Sequence, residues 1–374
     1  MDQSKGNNYK QEDIKSSNFY HGGNIYAKAK KLNLPTSEII DSSASLVPFD
    51  PPQILLDSLT SEIQNLGFKY YPDRNLTKLK AIIGEFHKIN PDNILPGNGA
   101  SELITWAGYE ASKFGISHIP SPGFVDYERS LNCWNANFMH LELPKEWSGI
   151  FPQCFPLKQN GDVIWITNPH NPTGQLWTRK SLEPILEKYK LVICDEAFLS
   201  LTPNGEKESL IPLTKKYDNL LVLRSLTKLF NIPGIRLGYV IGCYKKISQW
   251  QIKRDPWPLN SFAIQAGIEI LSNKSFYEQW IMKIHNWINT EKQLVYDELS
   301  KVDSLKIHKS STNFFLIENK FSLTPNIKYL ESKGILIREC SSFRFLNEKW
   351  ARISLQSPKN NKLLCREIQN SFKK

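Results

Sequence analysis

At 374 residues, with 40% hydrophobic and 22% charged residues, the chain has ordinary globular composition and room for two packed units that need no covalent staples. Its net charge of +10 is spread along the chain without zinc-finger spacing, an RRM signature or a concentrated basic helix, which disfavours nucleic acid and fits an anionic small substrate drawn into a cleft. Cys133, Cys154, Cys194, Cys243, Cys340 and Cys365 form no C-x-x-C pair, so neither a disulfide framework nor a metal site is expected, and reduced thiols in a cytoplasmic protein are.

Residues 1–18 are polar, lack the apolar stretch of a signal peptide, and read as a disordered lead-in. No apolar run approaches the roughly 18 residues of a membrane span. From Asp50 to Ile270 helical patterns alternate with short apolar runs. "PQILLDSLTSEIQNL" and "LTKLKAIIGEFHKI" have helical spacing, the second ending before Asn90-Pro91. "VIWIT" (163–167), "KLVIC" (190–194), "NLLVL" (219–223) and "LGYVIG" (237–242) read as strands, with the helical "TRKSLEPILEKY" among them. This alternation predicts an α/β fold with a mostly parallel, doubly covered sheet over 50–270. Beyond it, "SFYEQWIMKIHNWINTEKQLVYDELSKV" predicts a long helix. The strand candidates "NFFLIE", "ILIREC" and "ARISLQ" then predict a smaller α+β unit over 271–374. Residues 19–49 are left as an N-terminal arm.

In an open α/β sheet, ligands bind outside the carboxyl ends of the strands. "VIWIT" runs into "NPHNPTG", "KLVIC" ends at Asp195, and "NLLVL" ends at Arg224-Ser225 and leads to Lys228. "NILPGNGASELITW" turns through Gly97 and Gly99 into a helix starting near Ala100. The amides of Ala100 and Ser101 at that helix start suit an anion, although a tight strand–helix turn explains the glycines as well. Arg236 and the Ser225 hydroxyl are candidates to complete a phosphate cradle. A lysine beside a phosphate site, with a carboxylate on a neighbouring strand, points to pyridoxal phosphate. The lysine amine bonds the aldehyde, and the carboxylate pairs with the ring nitrogen so that the ring acts as an electron sink. His87, His118, His140, His285 and His308 show no ligand spacing.

The ordered motifs N-G-A-S-E (98–102), N-P-H-N-P-T-G (168–174), D-E-A-F (195–198), S-x-T-K (225–228) and G-I-R-L-G (234–238) resemble the fold-type-I, class I and II aminotransferases, across nearly the whole chain. Within that superfamily, "HGGNIY" (21–26), "YYPD" (70–73), "DPWPLNSFA" (255–263) and "GILIRECSSF" (334–343) resemble the threonine-phosphate decarboxylases of cobalamin biosynthesis, close relatives of histidinol-phosphate aminotransferases. The resemblance implies a large domain binding pyridoxal phosphate, a smaller C-terminal domain, and an arm (19–49) packing against that small domain and the substrate site. It makes Lys228 the cofactor-bearing lysine, Asp195 the partner of the pyridine nitrogen, Asn171 the donor to the ring's phenolic oxygen and Phe124 the stacking ring. Ala100, Ser101, Ser225 and Arg236 hold the phosphate. Tyr71 reaches that phosphate from a neighbouring subunit, which implies a homodimer. Arg352 clamps the substrate carboxylate. For a phosphorylated amino-acid substrate, Arg338 is the candidate second anion site, with His21 and Asn24 as helpers.

Two departures bear on the chemistry. Many aminotransferases carry tyrosine three residues after the aspartate, where this chain has Phe198. In "DSSASLVPFDPP" (41–52), Ser45, Val47 and Asp50 replace the two asparagines and the glycine of the decarboxylase-like S-x-N-x-N-P-x-G. The expected reaction is decarboxylation of L-threonine O-3-phosphate to 1-aminopropan-2-ol phosphate, with histidinol-phosphate or related aminotransfer as the alternative. A noncatalytic cofactor-binding regulator is a further alternative; retention of Lys228, Asp195 and Arg236, with no appended helix-turn-helix, argues against it.

Overall fold

The structure, a computed structural model, describes residues 22–373; the lead-in 1–18 and His21 lie outside the described residues. Strand β1 (Ile40–Asp41) belongs to the arm. The next seven are β2 (Ile94–Asn98), β3 (Ser117–Ser121), β4 (Phe138–Glu142), β5 (Gly161–Thr167), β6 (Tyr189–Asp195), β7 (Leu220–Ser225) and β8 (Leu237–Ile241). They form one sheet in the spatial order β2-β8-β7-β6-β5-β3-β4. Its pairs are parallel except at β8, which runs antiparallel to both neighbours.

The sheet is apolar on both faces because it is covered on both. Ile164, Ile166, Val192, Cys194, Leu220 and Val222 enter the larger core. Their chain neighbours Val163, Trp165, Leu191, Ile193, Leu221 and Leu223 enter a second core on the opposite face. Side chains alternate faces along a strand, so continuous apolar runs are what a doubly covered sheet requires. Full burial contributes ~1.5–3 kcal/mol for each large aliphatic side chain. Two strands of this sheet were not legible. "SHIPS" (β3) carries Pro120, and β4 is a half-exposed edge. β3 pairs with β4 along its length but with β5 only at Ser117 and His118, as expected where proline offers no N–H to the ladder.

The C-terminal part begins with the long helix Lys274–Leu299. β9 (Leu305–His308), β10 (Phe314–Asn319), β11 (Ile335–Leu336), β12 (Arg338–Glu339) and β13 (Trp350–Ser354) follow. An antiparallel sheet runs β12-β13-β10-β9, while β11 pairs in parallel with β1 of the arm. The sequence segment "ILIREC" is therefore two short strands with different partners rather than one. Its first half is bonded to the arm through Ile40 N–H to the Gly334 carbonyl and Ser42 N–H to the Leu336 carbonyl. Its second half is bonded to β13. Among the described residues, no helix is long and apolar enough to cross a membrane, and no His/Cys/Asp/Glu cluster is arranged to hold a metal ion.

Candidate active site

One edge of the large sheet collects the polar residues. β5 ends at Thr167 and continues into 168–174, β6 ends at Asp195, and β7 ends at Ser225 three residues before Lys228. β8 runs the opposite way, so its beginning, next to Arg236, arrives at the same edge. Register sets the neighbours: Thr167 lies beside Asp195, and Gly238 stands between Ser225 and Gly97.

The first-turn N–H groups of helix Gly99–Ala111 have no intrahelical partner and sit at its positive end. Gly99 has φ +73°, and a Cβ there would lie 2.5 Å from the Arg236 guanidinium. At Gly238, a Cβ would lie 2.9 Å from Ala100 N and 2.8 Å from the Arg224 carbonyl. Both glycines thus keep the helix start pressed against the arginine and the β7 end. Arg236 itself lies in the left-handed region at φ 62° and donates to the Asn98 carbonyl at 3.5 Å. The Asn98 N–H is taken by Glu102 at 2.6 Å, so this carboxylate bonds behind the cradle. Ser225 Oγ accepts the Thr227 N–H at 3.3 Å and keeps its own proton to donate. The helix-start amides and the Arg236 guanidinium lie where the two glycines leave no room for a Cβ, and the Ser225 hydroxyl ends the strand paired with Gly238. That donor set fits a phosphate.

Lys228 Nζ sits 4.5 Å from the centre of the Phe198 ring. Burial brings its pKa down to about 8; Asp195 opposes the shift, while Arg352 and Arg236 add to it. Phe198, itself edge-on to Phe314 at 5.2 Å, offers no hydrogen bond. The Asp195 carboxyl is buried and held by the Ala197 N–H at 2.9 Å and the Tyr127 hydroxyl at 2.8 Å. Burial pushes its pKa up, against those donors and Lys228. Phe124 packs edge-to-face on Tyr127 at 5.6 Å.

Arg352, on β13, is the link between the two parts of the chain. It donates to Asn171 Oδ1 at 2.6 Å and to the Ser43 carbonyl at 2.8 Å, and its guanidinium lies 5.0 Å from the Phe314 ring. Its Nε is buried without a hydrogen-bond partner among the described residues. Because Asn171 accepts through Oδ1, its amide NH2 remains to donate. Arg338 stands directly opposite Arg352 in the β12–β13 register. It donates to Ser342 Oγ at 2.6 Å and lies 5.2 Å from the Phe343 ring.

The arm approaches Arg352 through Ser43, whose Oγ accepts the Gly23 N–H at 3.0 Å. Asn24 is exposed and caps helix Ile25–Leu32, its side chain accepting the Ala27 N–H at 3.3 Å. Tyr71 is 78% exposed and stacks on Trp257 at 4.3 Å, on the surface and not within this chain's own cradle. The unusual "DSSAS" segment is pinned to β13, with Ser45 Oγ 2.6 Å from Ser354 Oγ and the Ser42 Oγ donating to the Ser354 carbonyl at 2.7 Å. Ser45 has φ 54°, a region in which asparagine is enriched over serine. The replaced asparagine is thus explicable by backbone shape as well as by substrate contact. Val47 is buried in the core.

Three participants escaped sequence reasoning: Tyr127, Thr167 and the Ser43 carbonyl. Thr167 was legible as the polar end of "VIWIT". Tyr127 signalled itself only by following Phe124 at a three-residue spacing into a helix, and a backbone carbonyl carries no residue-type signal.

The family model for aminotransferase class I and II matches residues 37–368. A threonine-phosphate decarboxylase of Salmonella typhimurium is 28% identical over 361 residues, covering 94% of this chain and 96% of that protein. A histidinol-phosphate aminotransferase of Caldanaerobacter subterraneus is 26% identical over 368 residues, covering 97% and 98%. Among solved structures, the histidinol-phosphate aminotransferase of Clostridium acetobutylicum superposes with a TM-score of 0.78 at 27% identity, covering 90% of this chain and 99% of that one. With a match over most of its length, the chain belongs to the class I and II aminotransferase family of pyridoxal-phosphate-dependent enzymes.

Proposed function

We propose that this enzyme decarboxylates L-threonine O-3-phosphate to 1-aminopropan-2-ol phosphate, for the side chain of cobalamin. The observation that carries the reading is the pair Arg352 and Arg338, opposed across β12 and β13. Two guanidinium groups opposed on neighbouring strands can engage a substrate with a carboxylate and a phosphate a few bonds apart through charge-assisted hydrogen bonds at both ends. A simple amino acid engages only one of them. The relatives named for threonine phosphate support the same choice.

In this reading Ala100, Ser101, Ser225 and Arg236 hold the cofactor phosphate, Lys228 takes its aldehyde, Phe124 covers one ring face, and Asp195 and Asn171 bond the ring nitrogen and phenolic oxygen. When bound, the cofactor supplies an electron sink for the bond broken at the substrate's Cα. Arg352 Nε holds the carboxylate, Arg338 holds the phosphate, and Lys228 Nζ delivers a proton to Cα as carbon dioxide leaves. Residues 50–270 act as the cofactor domain and 271–374 with the arm 19–49 as the substrate side. Tyr71, exposed with Phe68 and Tyr70, completes the phosphate site of a second copy in a homodimer.

The second reading, transfer of the amino group of histidinol phosphate, is supported by the relatives named for that reaction, and the Lys228 pKa near 8 suits a two-way proton shuttle as well as a single delivery. Threonine phosphate added to the reconstituted enzyme without a keto acid separates the two. Carbon dioxide released in step with aminopropanol phosphate is the expected result. No release, with histidinol phosphate converting the cofactor to its amine form, transfers the protein to the second reading.

Arg338→Ala is expected to raise the KM for threonine phosphate by roughly 10- to 100-fold, the worth of charge-assisted hydrogen bonds, and to leave turnover of unphosphorylated threonine within about twofold. Equal losses for both substrates would remove Arg338 from phosphate binding.

A further inference from the structure

Behind the proposed pyridine site, two hydroxyls and a carboxylate stand in line. Thr167 ends β5 and Asp195 ends β6 directly beside it. Tyr127, in the first turn of helix Asp126–Cys133, places its hydroxyl 2.8 Å from Thr167 Oγ1 and 2.8 Å from Asp195 Oδ2. All three residues are buried, with 5%, 1% and 5% exposure for Thr167, Tyr127 and Asp195. An ionised carboxylate only accepts, so the Tyr127 proton points to Asp195 and the Tyr127 oxygen accepts from Thr167. The direction of donation is therefore determined along the whole line.

The same tyrosine ring is wedged in place. It stacks on Trp165 at 4.9 Å with 28° between planes, and meets the Phe124 ring edge-to-face at 5.6 Å and 85°. One side chain thus touches both the group assigned to the ring nitrogen and the group assigned to the ring face.

We propose that Tyr127 is a positioning residue, and that the relay Thr167→Tyr127→Asp195 keeps the Asp195 carboxylate ionised and aimed at the cofactor's ring nitrogen. This rests on the assignment of Asp195 to that nitrogen, and not on whether the enzyme decarboxylates or transaminates. The need for a relay is electrostatic. Burial disfavours the charged form of Asp195, and Asp126 from the same helix as Tyr127 adds to that. The Ala197 N–H, Lys228 from the loop after β7, and the Tyr127 hydroxyl act the other way. Cys194, one residue before, is a buried thiol held in its neutral form. Glu196, one residue after, is bonded elsewhere, to Ser209 Oγ at 2.7 Å and the Leu210 N–H at 2.6 Å, with Arg224 3.6 Å away. Of these, Tyr127 is the side chain that can be relieved of its polar atom without changing shape, since phenylalanine keeps the ring between Trp165 and Phe124.

The test uses Tyr127→Phe and Thr167→Val, with Asp195→Asn as reference. Three readouts are followed: the dissociation constant of pyridoxal phosphate from the cofactor-free protein, the pH at which the bound cofactor's visible absorption changes, and the acid limb of kcat. Loss of a hydrogen bond to a buried carboxylate favours its protonated form. Tyr127→Phe is therefore expected to weaken cofactor binding about tenfold at neutral pH and to move the acid limb up by about one unit. Thr167→Val is expected to move both in the same direction by less, and the substrate KM to stay within about twofold in both variants. A Tyr127→Phe protein with a lower melting temperature but unchanged cofactor affinity and unchanged acid limb would make Tyr127 a packing residue and overturn the proposal. A silent Thr167→Val beside an active Tyr127→Phe effect would overturn the relay. If Asp195→Asn also leaves cofactor binding intact, the failure lies in the assignment of Asp195.

Discussion

Lys228→Ala is expected to lower kcat by about 10⁴-fold or more, because in the proposed assignment it removes both the covalent anchor and the group that carries the proton. The environment of Lys228 makes a sharper prediction about pH. Its pKa is brought from the ordinary lysine range down to about 8, chiefly by burial, with Arg352 and Arg236 adding to the shift and Asp195 resisting it. A lowered lysine pKa means that the neutral amine, the form that attacks an aldehyde, dominates above that value. Attachment of pyridoxal phosphate to the cofactor-free protein should therefore accelerate as pH rises to about 8 and then level off. An unperturbed lysine would keep accelerating toward about 10.4. Asp195→Asn removes the group that resists the shift, so the levelling-off point should move down. Rapid-mixing absorbance at a series of pH values measures this. Borohydride trapping checks the site: a Lys228→Ala protein that is still covalently labelled would show that another amine is the anchor. Lys228→Arg should be as inactive as alanine, since its guanidinium stays charged and offers no free amine.

Arg352→Ala is expected to carry the second-largest loss, on the order of 10²- to 10³-fold in kcat/KM. Two effects add. In the proposed assignment the substrate carboxylate loses a buried, charge-assisted partner. The Asn171 Oδ1 and Ser43 carbonyl that Arg352 now bonds are left without a donor, which disturbs the Asn171 amide and the arm beside it. Burial lowers the Arg352 pKa to about 10, so the group remains charged at neutral pH and its removal subtracts a full cation. Arg352→Lys should recover little, because an ammonium cannot span both acceptors and still present a donor to substrate. Parallel measurement of kcat/KM and of cofactor retention distinguishes the two effects. An Arg352→Ala enzyme with near-normal kcat/KM for threonine phosphate would exclude this residue as the carboxylate clamp.

The placement of most candidate site residues was readable from the sequence, for a definable reason. Lys228, Asp195, Ser225, Asn171 and the Gly99–Ala100 turn all follow directly from strand ends, and strand ends are marked locally, where an apolar run stops. A doubly covered sheet writes itself as uninterrupted runs such as "VIWIT" and "NLLVL", so the edge where the polar strand ends collect could be read from residue order alone. β3 was missed because Pro120 and two serines interrupt its run, and β4 because an edge strand need not be apolar.

What the sequence by itself determined was the α/β alternation, the cofactor and the side chains at the strand ends, since each is carried by a short window of residue types. Tertiary structure decided everything that depends on pairing across distance. Arg338 and Arg352 face one another only through the β12–β13 register. "ILIREC" is divided because the arm claims Ile335 and Leu336 before β13 can. Tyr127 meets Asp195 68 residues away, and Ser43 offers Arg352 a carbonyl that any residue would have possessed. A one-residue slip in a strand sends every side chain to the other face without altering its composition, so these encounters are properties of register and packing, and local residue patterns do not encode them.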